Sequence, residues 1–226
     1  MTQAILLFGD NRLHRGKLLS ASAIVTDPPY GIAYAVNERR FPSRCAYLKG
    51  STNTTTSAQP GIVGDDQLFD PAPWLNSARV AFCGANHFAD KLPLGRWLVW
   101  DKRRESKPDA HSDAELIWLS GDHTEALRVH RQKWRGIIRE GEENCSRSKK
   151  LHPNQKPVAL LDVIFDKLGL KPEDTVADPY MGSGSTAVAA LRRGMNFVGC
   201  EIDACHFETA YQRLRAEFGA GRVAVA

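Results

Sequence analysis

The feature that most constrains the fold is a predicted strand that runs into a glycine-rich turn and then into a helix. Residues 175–186 read TVADPYMGSGST, and apolar residues at helical spacing continue to Arg193. Glycines let the backbone turn sharply and approach a ligand closely, and the first turn of a helix offers unpaired N–H groups. This layout is typical of nucleotide-binding sites in α/β folds.

Short apolar runs rich in β-branched residues recur along the chain and predict buried strands. They cover Ala4–Phe8, Ala23–Thr26, Ala78–Cys83, Trp97–Trp100, Glu115–Leu119, Thr175–Ala177 and Phe197–Cys200. Helical patterns cover Val158–Leu168, Ser185–Arg193 and Cys205–Phe218. This alternation predicts a Rossmann-like α/β fold, with a mostly parallel, twisted sheet and helices on both of its faces.

An acidic residue follows the glycine-rich turn at an informative distance. Glu201 ends the next apolar run, 23 residues after Asp178. Rossmann-like folds place an acid against ribose hydroxyls at an offset of about 20 residues, so the spacing favours an adenosine ligand. A NAD site is poorly supported, because the sequence lacks GxGxxG and offers only Gly182-x-Gly184.

The chain length limits the number of domains. A chain of 226 residues is long enough for a sizeable core and short for two ordinary domains. We therefore predict a single domain over 1–226. The run Ser51–Ser57 is polar and lacks either periodicity, which predicts a mobile loop insertion over residues 31–60.

Composition narrows the cellular setting. No apolar run approaches the roughly 20 residues that span a bilayer, and the N-terminal residues lack the basic segment of a secretory signal. We expect a cytoplasmic protein without membrane contact. Five cysteines form an odd number without a CxxC pair, so neither a disulfide framework nor a metal site is predicted.

Net charge alone does not identify a partner, because a value of +4 and a pI near 8.8 are only mildly basic. Local charge is more informative. Residues 121–150 hold eight Lys and Arg against five Asp and Glu. Taken alone, such a segment is equally well explained as a solvated face.

The tetrapeptide Asp27-Pro28-Pro29-Tyr30 follows the apolar run Ala23–Thr26, so we expect it at the carboxyl end of a strand. Proline has no N–H, so the carbonyls there can accept hydrogen bonds beside the Asp27 carboxylate. Two acceptors suit an exocyclic amino group, and an aromatic ring offers a face on which a base can stack. A rigid turn that ends in a core tyrosine is the alternative.

Together these segments resemble the DNA amino-methyltransferases, whose catalytic motif has the form (D/N/S)PP(Y/F). Residues 178–184 resemble the family's cofactor motif. Residues 152–157, HPNQKP, resemble the segment that precedes it and packs against the methionine part of the cofactor. Because the catalytic tetrapeptide comes first, the order is that of the circularly permuted β group. Segments 85–102 and 112–115 are similar to small phage- or prophage-borne members.

The resemblance implies a DNA methyltransferase that uses S-adenosylmethionine and releases S-adenosylhomocysteine. It implies double-stranded DNA as substrate, a flipped-out target base within a specific sequence, and a homodimer. The implied catalytic residues are Asp27, Pro28, Pro29 and Tyr30. The implied cofactor contacts are Asp10, Asp27, Lys156, Asp178, Pro179, Tyr180, Gly182, Ser183, Gly184, Ser185, Thr186, Glu201 and Ile202.

A short target-recognition region is expected over residues 121–150, where basic side chains can hold phosphates and read bases. The predicted DNA contacts are Arg39, Arg40, Arg128, Arg131, Lys133, Arg135 and Arg139. This region is short for the family, so either the recognised sequence is short or residues 31–60 and a second subunit share the reading.

The target atom is left open between two amino groups. An initial Asp favours N6 of adenine, since an initial Ser is commoner in members that methylate N4 of cytosine. RNA or a protein amide as acceptor and a non-catalytic DNA-binding subunit are further alternatives. One departure from the family is Tyr180, which stands where the cofactor motif usually has phenylalanine; the ring can still pack, but its hydroxyl needs a partner.

Overall fold

A nine-stranded mixed sheet dominates the part of the chain that the structure describes. The computed structural model describes residues 2–33, 62–103, 112–135, 138–139 and 155–226. The strands of the sheet are β1 (Ala4–Phe8), β2 (Ala23–Thr26), β3 (Val80–Phe82), β4 (Arg96–Asp101), β5 (Ala114–Leu119), β6 (Arg128–Arg131), β9 (Thr175–Asp178), β10 (Asn196–Glu201) and β11 (Val223–Val225). A separate hairpin pairs β7 (Trp134–Arg135) with β8 (Ile138–Arg139).

The strand order is β11-β1-β10-β9-β2-β3-β5-β4-β6. Every pair is parallel except the two that β5 makes, with β3 and with β4. The carboxyl ends of β1, β2, β9 and β10 therefore meet at one edge of the sheet, the edge at which open α/β sheets bind ligands. Because β5 runs the other way, its first residues reach this same edge.

Helices cover both faces. They are α1 (Arg15–Leu19), α2 (Val158–Lys167), α3 (Ser185–Arg192) and α4 (Ala204–Phe218), with short 3-10 turns at Ala85–His87, Ala89–Lys91 and Ala220–Arg222. One core packs α2, α3 and α4 against the sheet, and the second core packs α1 and the segment 69–88 against the other face. Strand side chains alternate between the cores, as Ala23 and Val25 do against Ile24.

The predicted fold class is confirmed, and the predicted elements lie where the periodicity placed them. Strands over Ala4–Phe8 and Ala23–Thr26 match at both ends, and the three predicted helices match within one residue at each end. The largest difference is at β3, where the predicted run Ala78–Cys83 contributes only three residues to the ladder. Within the described ranges, none of the helices has the length and apolar character needed to cross a bilayer.

Candidate active site

Asp27 follows β2 directly and lies at the centre of a largely buried polar cluster. Its Oδ2 lies 2.6 Å from the ammonium of Lys156, and its Oδ1 accepts a hydrogen bond from the Tyr30 hydroxyl. Lys156 also donates to the Tyr30 oxygen at 3.1 Å. Burial raises the pKa of Asp27 above its ordinary value, although the Lys156 ammonium opposes this change.

The ring of Tyr30 is held in place from two sides. The imidazole of His87 stacks on it with ring centroids 4.7 Å apart and an interplanar angle of 15°. Gly84 closes the approach on another side, because a Cβ there would lie 2.2 Å from the ring. Since Gly84 also has φ of +64°, a side chain at this position is excluded both by the left-handed backbone and by the ring.

A buried carboxylate fixes the backbone after the two prolines. Oδ1 of Asp65 accepts hydrogen bonds from the N–H groups of Tyr30 and Gly31, at 2.8 and 2.9 Å. The Asp65 carbonyl accepts from Ala33 at 2.8 Å. Asp65 thus holds the tetrapeptide at the strand end although it lies 38 positions further along the chain than Asp27.

Lys156 reaches Asp27 because the chain just before α2 is anchored to the hairpin. The indole N–H of Trp134 donates to the carbonyl of Gln155 at 3.1 Å, and both residues are buried. Trp134 belongs to the core, so it is not an exposed base-stacking ring. Two neighbouring carboxylates raise the pKa of Lys156 even though burial opposes this, so the side chain is an ammonium at neutral pH.

The second carboxylate at Lys156 belongs to Glu115, the second residue of β5. Glu115 Oε1 lies 3.1 Å from Lys156 Nζ, and Oε2 lies 2.9 Å from Lys102 Nζ. Burial alone would raise the pKa of Glu115, but the two ammonium groups more than offset it and lower that pKa. Oε1 is close enough to Lys156 for an ion pair, yet it makes no hydrogen bond to any described residue.

The glycine-rich turn follows β9, the immediate neighbour of β2 in the sheet. Asp178 ends β9 and accepts hydrogen bonds from the hydroxyls of Thr26 and Thr186, each at 2.6 Å, and from the N–H of Tyr180 at 3.0 Å. Burial raises the pKa of Asp178 to about 6. This carboxylate therefore ties the end of β2 to the first turn of α3.

The turn leads into α3 through Gly184, which has φ of +78° at the position before the helix. A Cβ at Gly184 would lie 3.2 Å from Ala210 Cβ on α4, so glycine permits close packing of the two helices. Ser183 and Ser185 are buried beside the turn and both contact Arg213 of α4. Tyr180 packs edge-on against Phe69 and Trp74, as expected of the aromatic position in this motif.

Glu201 ends β10 beside the same turn. Its Oε2 accepts from the Gly182 N–H and its Oε1 from the Asp203 N–H, both at 2.8 Å. Burial raises the pKa of Glu201 to about 7. Two apolar side chains flank this carboxylate: Phe8, which lies opposite Glu201 in the ladder and is 51% exposed, and Ile202, which is 48% exposed.

Asp10 lies two residues beyond β1, at the same edge of the sheet. In the structure its carboxylate accepts from the backbone and the guanidinium of Arg12, which lowers the pKa of Asp10. The Arg12 side chain is 77% exposed, so this local pair leaves Asp10 at the surface of the site. Its contact with a cofactor stays a prediction.

The predicted DNA contacts are described only in part. Arg128 and Arg131 lie exposed on β6, the edge strand, and Lys133 follows it. Arg131 faces Asp101 with the two charged atoms 3.8 Å apart. Arg39 and Arg40 lie outside the described residues, and for Arg135 and Arg139 the structure describes the strand only.

The comparisons with known proteins decide the family. A sequence profile of the DNA methylase family that comprises N6 and N4 methyltransferases matches residues 21–212. The chain belongs to this family. It is 29% identical over 120 residues to the type II methyltransferase M2.DpnII of Streptococcus pneumoniae, which covers 53% of this chain and 42% of that protein. It is 28% identical over 117 residues to M2.LlaDCHI of Lactococcus lactis subsp. cremoris, covering 52% and 40%.

The match thus spans only about two fifths of these curated relatives. Among solved structures, the M1.HpyAVI complex with S-adenosylmethionine is 22% identical with a TM-score of 0.52, covering 93% of this chain and 100% of that chain. TTHA0409 of Thermus thermophilus, a proposed DNA modification methylase, is 17% identical with a TM-score of 0.57, covering 100% and 99%. These likenesses support the Rossmann-like fold.

S-adenosylmethionine is the cofactor of this family, and the edge of the sheet suits it. Glu201 offers acceptors for ribose hydroxyls, and the exposed side chains of Phe8 and Ile202 offer apolar surface for an adenine. The glycine-rich turn that follows β9 places no side chain beyond hydrogen at Gly182, beside the Glu201 carboxylate. The residues present therefore fit an adenosine-containing cofactor. Among the described residues, no group of three or more His, Cys, Asp or Glu is arranged to hold a metal ion.

Sequence reasoning missed several residues of the site. Asp65 and His87 contact Tyr30 of the predicted catalytic tetrapeptide. Glu115 contacts Lys156, Lys102 contacts Glu115, and Phe8 lies opposite Glu201 in the ladder. The one signal in the sequence was an acid at position 115, at the start of an otherwise apolar strand. A buried charge is costly unless it is paired, so an acid at this position predicts a buried cationic partner. The sequence does not indicate which residue that partner is.

Proposed function

We propose that this chain methylates the exocyclic N6 of adenine in double-stranded DNA, with S-adenosylmethionine as methyl donor. The observation that carries the proposal is the adjacency of two strand ends. β2 delivers Asp27-Pro28-Pro29-Tyr30, and its parallel neighbour β9 delivers the glycine-rich turn. An amino group held at Asp27 therefore lies beside the place where the family binds its cofactor.

The chain's own residues prepare the amino group. The nitrogen of an exocyclic amine is a poor nucleophile because its lone pair is conjugated into the ring. Hydrogen bonds from its two protons to the Asp27 carboxylate and the Pro28 carbonyl favour a pyramidal nitrogen with an available lone pair. Positioning and these acceptors supply most of the acceleration, and no covalent enzyme intermediate is needed.

The target base has to leave the duplex, at a cost of a few kcal/mol, before Asp27 can reach it. In the structure the Tyr30 hydroxyl occupies Oδ1 of Asp27, where we place one proton of the amine. An amine proton placed there either shares this oxygen with the Tyr30 hydroxyl or displaces the hydroxyl. A base that stacks on the Tyr30 ring has to take the place of the His87 imidazole, which stacks there in the structure, and the new contact is worth roughly 1–3 kcal/mol.

The cofactor supplies a methyl group bound to a sulfonium. We propose that Glu201 binds the ribose, that Ile202 and Asp10 contact the adenine, and that the turn with Asp178 shapes the rest of the site. The remaining proposed contacts are Asp27, Lys156, Pro179, Tyr180, Gly182, Ser183, Gly184, Ser185 and Thr186.

Adenine is preferred over cytosine because the tetrapeptide begins with Asp. The matched family comprises both N6 and N4 enzymes, so N4 of cytosine is the second outcome to be tested. The order of the two motifs further supports membership of the permuted β group.

We propose one methyltransferase domain over 1–226, with target recognition by residues 121–150. The mobile loop insertion predicted over residues 31–60 lies outside the described residues, apart from 31–33. Arg128, Arg131 and Lys133 stand on or beside the edge strand β6, where phosphates can reach them. Recognition of a specific sequence, a homodimer, a cytoplasmic location and a phage or prophage origin complete the proposal.

Transfer of labelled methyl from S-adenosylmethionine to unmethylated duplex DNA of mixed sequence tests the function. The DNA is then digested to nucleosides and analysed by mass spectrometry. We expect N6-methyladenine. N4-methylcytosine would correct the target and keep the mechanism, whereas cofactor binding without any methylated nucleoside would move the search to RNA and protein acceptors.

A further inference from the structure

Four charged side chains form an alternating chain that ends at Asp27. Lys102 lies 2.9 Å from Glu115, Glu115 lies 3.1 Å from Lys156, and Lys156 lies 2.6 Å from Asp27. The Lys102 side chain is 23% exposed, whereas those of Glu115 and Lys156 are each 9% exposed. This row of four charged side chains therefore extends from the protein surface at Lys102 to the proposed catalytic carboxylate of Asp27.

The topology explains how these groups meet. Thr26 of β2 pairs with Phe82 of β3, and Phe82 pairs with Trp118 of β5. Because β5 is antiparallel, Glu115 lies beyond Trp118 in the direction of the carboxyl edge, where Asp27 follows β2. Lys102 follows β4 at the same edge.

The presence of Glu115 needs an explanation beyond stability. One lysine and one aspartate already form a neutral pair. A second buried carboxylate demands a second cation, and buried ion pairs are often no more stabilising than apolar residues of similar volume. Oε1 of Glu115 lies 3.1 Å from the Lys156 ammonium, so the second carboxylate shares the cation that Asp27 also uses.

We infer that Glu115 is a positioning residue that shares the ammonium of Lys156 and thereby keeps Asp27 a strong hydrogen-bond acceptor for the target amine. This inference rests on the proposed function. If the Lys156 ammonium were paired with Asp27 alone, its whole charge would interact with the Asp27 carboxylate. The carboxylate would then be a weaker hydrogen-bond acceptor for the target amine. With Glu115 on the other side, the ammonium interacts with two carboxylates, and Lys102 supplies a second cation beside Glu115.

Other groups around Asp27 also contribute to its titration. They come from each element packed against it: Tyr30 on the same loop, Cys83 after β3, Asp178 at the end of β9, Lys156 before α2 and Glu115 on β5. His87 reaches this cluster only through its stack on Tyr30. The test therefore compares variants that change one charge and leave these groups in place.

Two variants are expected to move Asp27 in opposite directions. Glu115→Gln removes a neighbouring negative charge and leaves Lys156 to Asp27 alone, so the pKa of Asp27 falls. Lys102→Met removes the cation that balances Glu115, so Glu115 draws Lys156 toward itself and the pKa of Asp27 rises. A merely structural role for Glu115 predicts lower stability in both variants without opposite shifts.

The kinetic consequences follow from the same argument. For E115Q we expect kcat to fall on the order of 10-fold at pH values above the acid limb, the low-pH part of the profile in which kcat rises with pH. This loss is smaller than the roughly 10²–10³-fold that a group in direct contact with the transition state contributes. The KM for S-adenosylmethionine stays unchanged, and the acid limb of kcat moves to lower pH. For K102M the acid limb moves to higher pH, and K102R restores the wild-type profile because it keeps the charge.

The experiment combines NMR titration of aspartate γ-carboxyl ¹³C in the cofactor-free protein with single-turnover methyl transfer to unmethylated mixed-sequence DNA. Asp27→Asn assigns the resonance. Glu217→Gln is the matched control, because Glu217 of α4 is an exposed partner of Arg192 and lies outside both the site and residues 121–150. If E115Q fails to fold, K102M, at the more exposed end of the row of charged side chains, provides the same comparison.

Opposite shifts of the Asp27 pKa, with the matching shifts of the acid limb, support the inference. Wild-type turnover together with an Asp27 resonance that titrates identically in E115Q, K102M and E217Q would overturn the role of Glu115 alone. Absence of methyl transfer by the folded wild-type protein would instead overturn the proposed function and, with it, the acceptor role that we assign to Asp27.

Discussion

Asp27 follows β2, and Asp178 ends its parallel neighbour β9. Both carboxylates are largely shielded from solvent, but different groups stabilise them. Asp27 is paired with the Lys156 ammonium, whereas Asp178 accepts hydrogen bonds from two threonine hydroxyls and a backbone N–H. A cation favours the ionised form strongly, and neutral donors favour it less. The comparison separates the carboxylate to which we assign the chemistry from one that holds two elements together.

The largest expected difference between the two aspartates is in turnover. Asp27→Asn replaces the acceptor of the target amine by a group that also donates, so we expect methyl transfer to fall by at least roughly 10²-fold. Asp178→Asn keeps one oxygen that can accept from Thr26 and Tyr180, and its amide N–H can donate to the Thr186 hydroxyl in place of the second acceptor, so we expect a loss within about 10-fold. Single-turnover transfer to mixed-sequence DNA measures both, with cofactor binding by calorimetry as the control. Equal losses in the two variants would remove the distinction.

Removal of the cation tests the Asp27 side of the comparison through stability. Lys156→Met leaves two buried carboxylates with one lysine fewer, and breaking a buried ion pair costs about 3–5 kcal/mol. We expect the free energy of unfolding in urea to fall by that amount at pH 7. Lys167→Met, at the end of α2, serves as a control of the same chemical change. A loss below about 1 kcal/mol would show that Lys156 does not balance these charges.

The pH dependence of stability tests the Asp178 side. Its pKa is about 6 in the folded protein and 3.8 without the fold, so the folded state binds an extra proton between these values. The stability contributed by this group is present in full below about pH 4 and is lost as pH rises through 6. Between pH 4 and 7, the wild type should therefore lose on the order of 2 kcal/mol relative to Asp178→Asn.

Urea unfolding of both proteins at several pH values measures this difference. Glu201, with its pKa raised to about 7 by burial and in part by the Asp178 carboxylate, adds a loss of the same sign in both proteins. A difference between the two proteins that does not change with pH would mean that Asp178 titrates normally.

The smallest expected effect comes from one neutral donor. Thr186→Val keeps the shape of the side chain and removes one of three hydrogen bonds to Asp178, which costs about 1 kcal/mol. Thermal and urea unfolding measure it. Thr209→Val, on α4, removes a hydroxyl that donates only to the Cys205 carbonyl and is the matched control. An effect as large as that of Lys156→Met would contradict the contrast between cationic and neutral partners.

Much of the fold could be predicted because its signals are local. Buried strands of a parallel sheet are apolar throughout, as Ala23–Thr26 is, and each amphipathic helix repeats its apolar residues at a fixed spacing. The helix that begins after Gly184 was found for the same reason. The short strands β6 and β11 were not found, because three or four residues at a sheet edge carry no periodicity.

The candidate site was predictable only where its residues stand at strand ends within recognisable motifs. Asp27, Asp178 and Glu201 were found in this way. Their roles as site residues stay predictions, but the structure gathers them at one edge of the sheet. Asp65 and Glu115 were not found, because each acts across a distance in sequence that no local pattern encodes.

The sequence by itself determined the α/β class and the two motifs that identify a DNA methylase. Only the tertiary structure decided that β2 and β9, about 150 positions apart, are neighbours, and that the antiparallel β5 carries Glu115 to Lys156. The physical reason is that propensity and periodicity act over a few residues, whereas strand order and the pairing of buried charges depend on contacts that exist only once the sheet has formed.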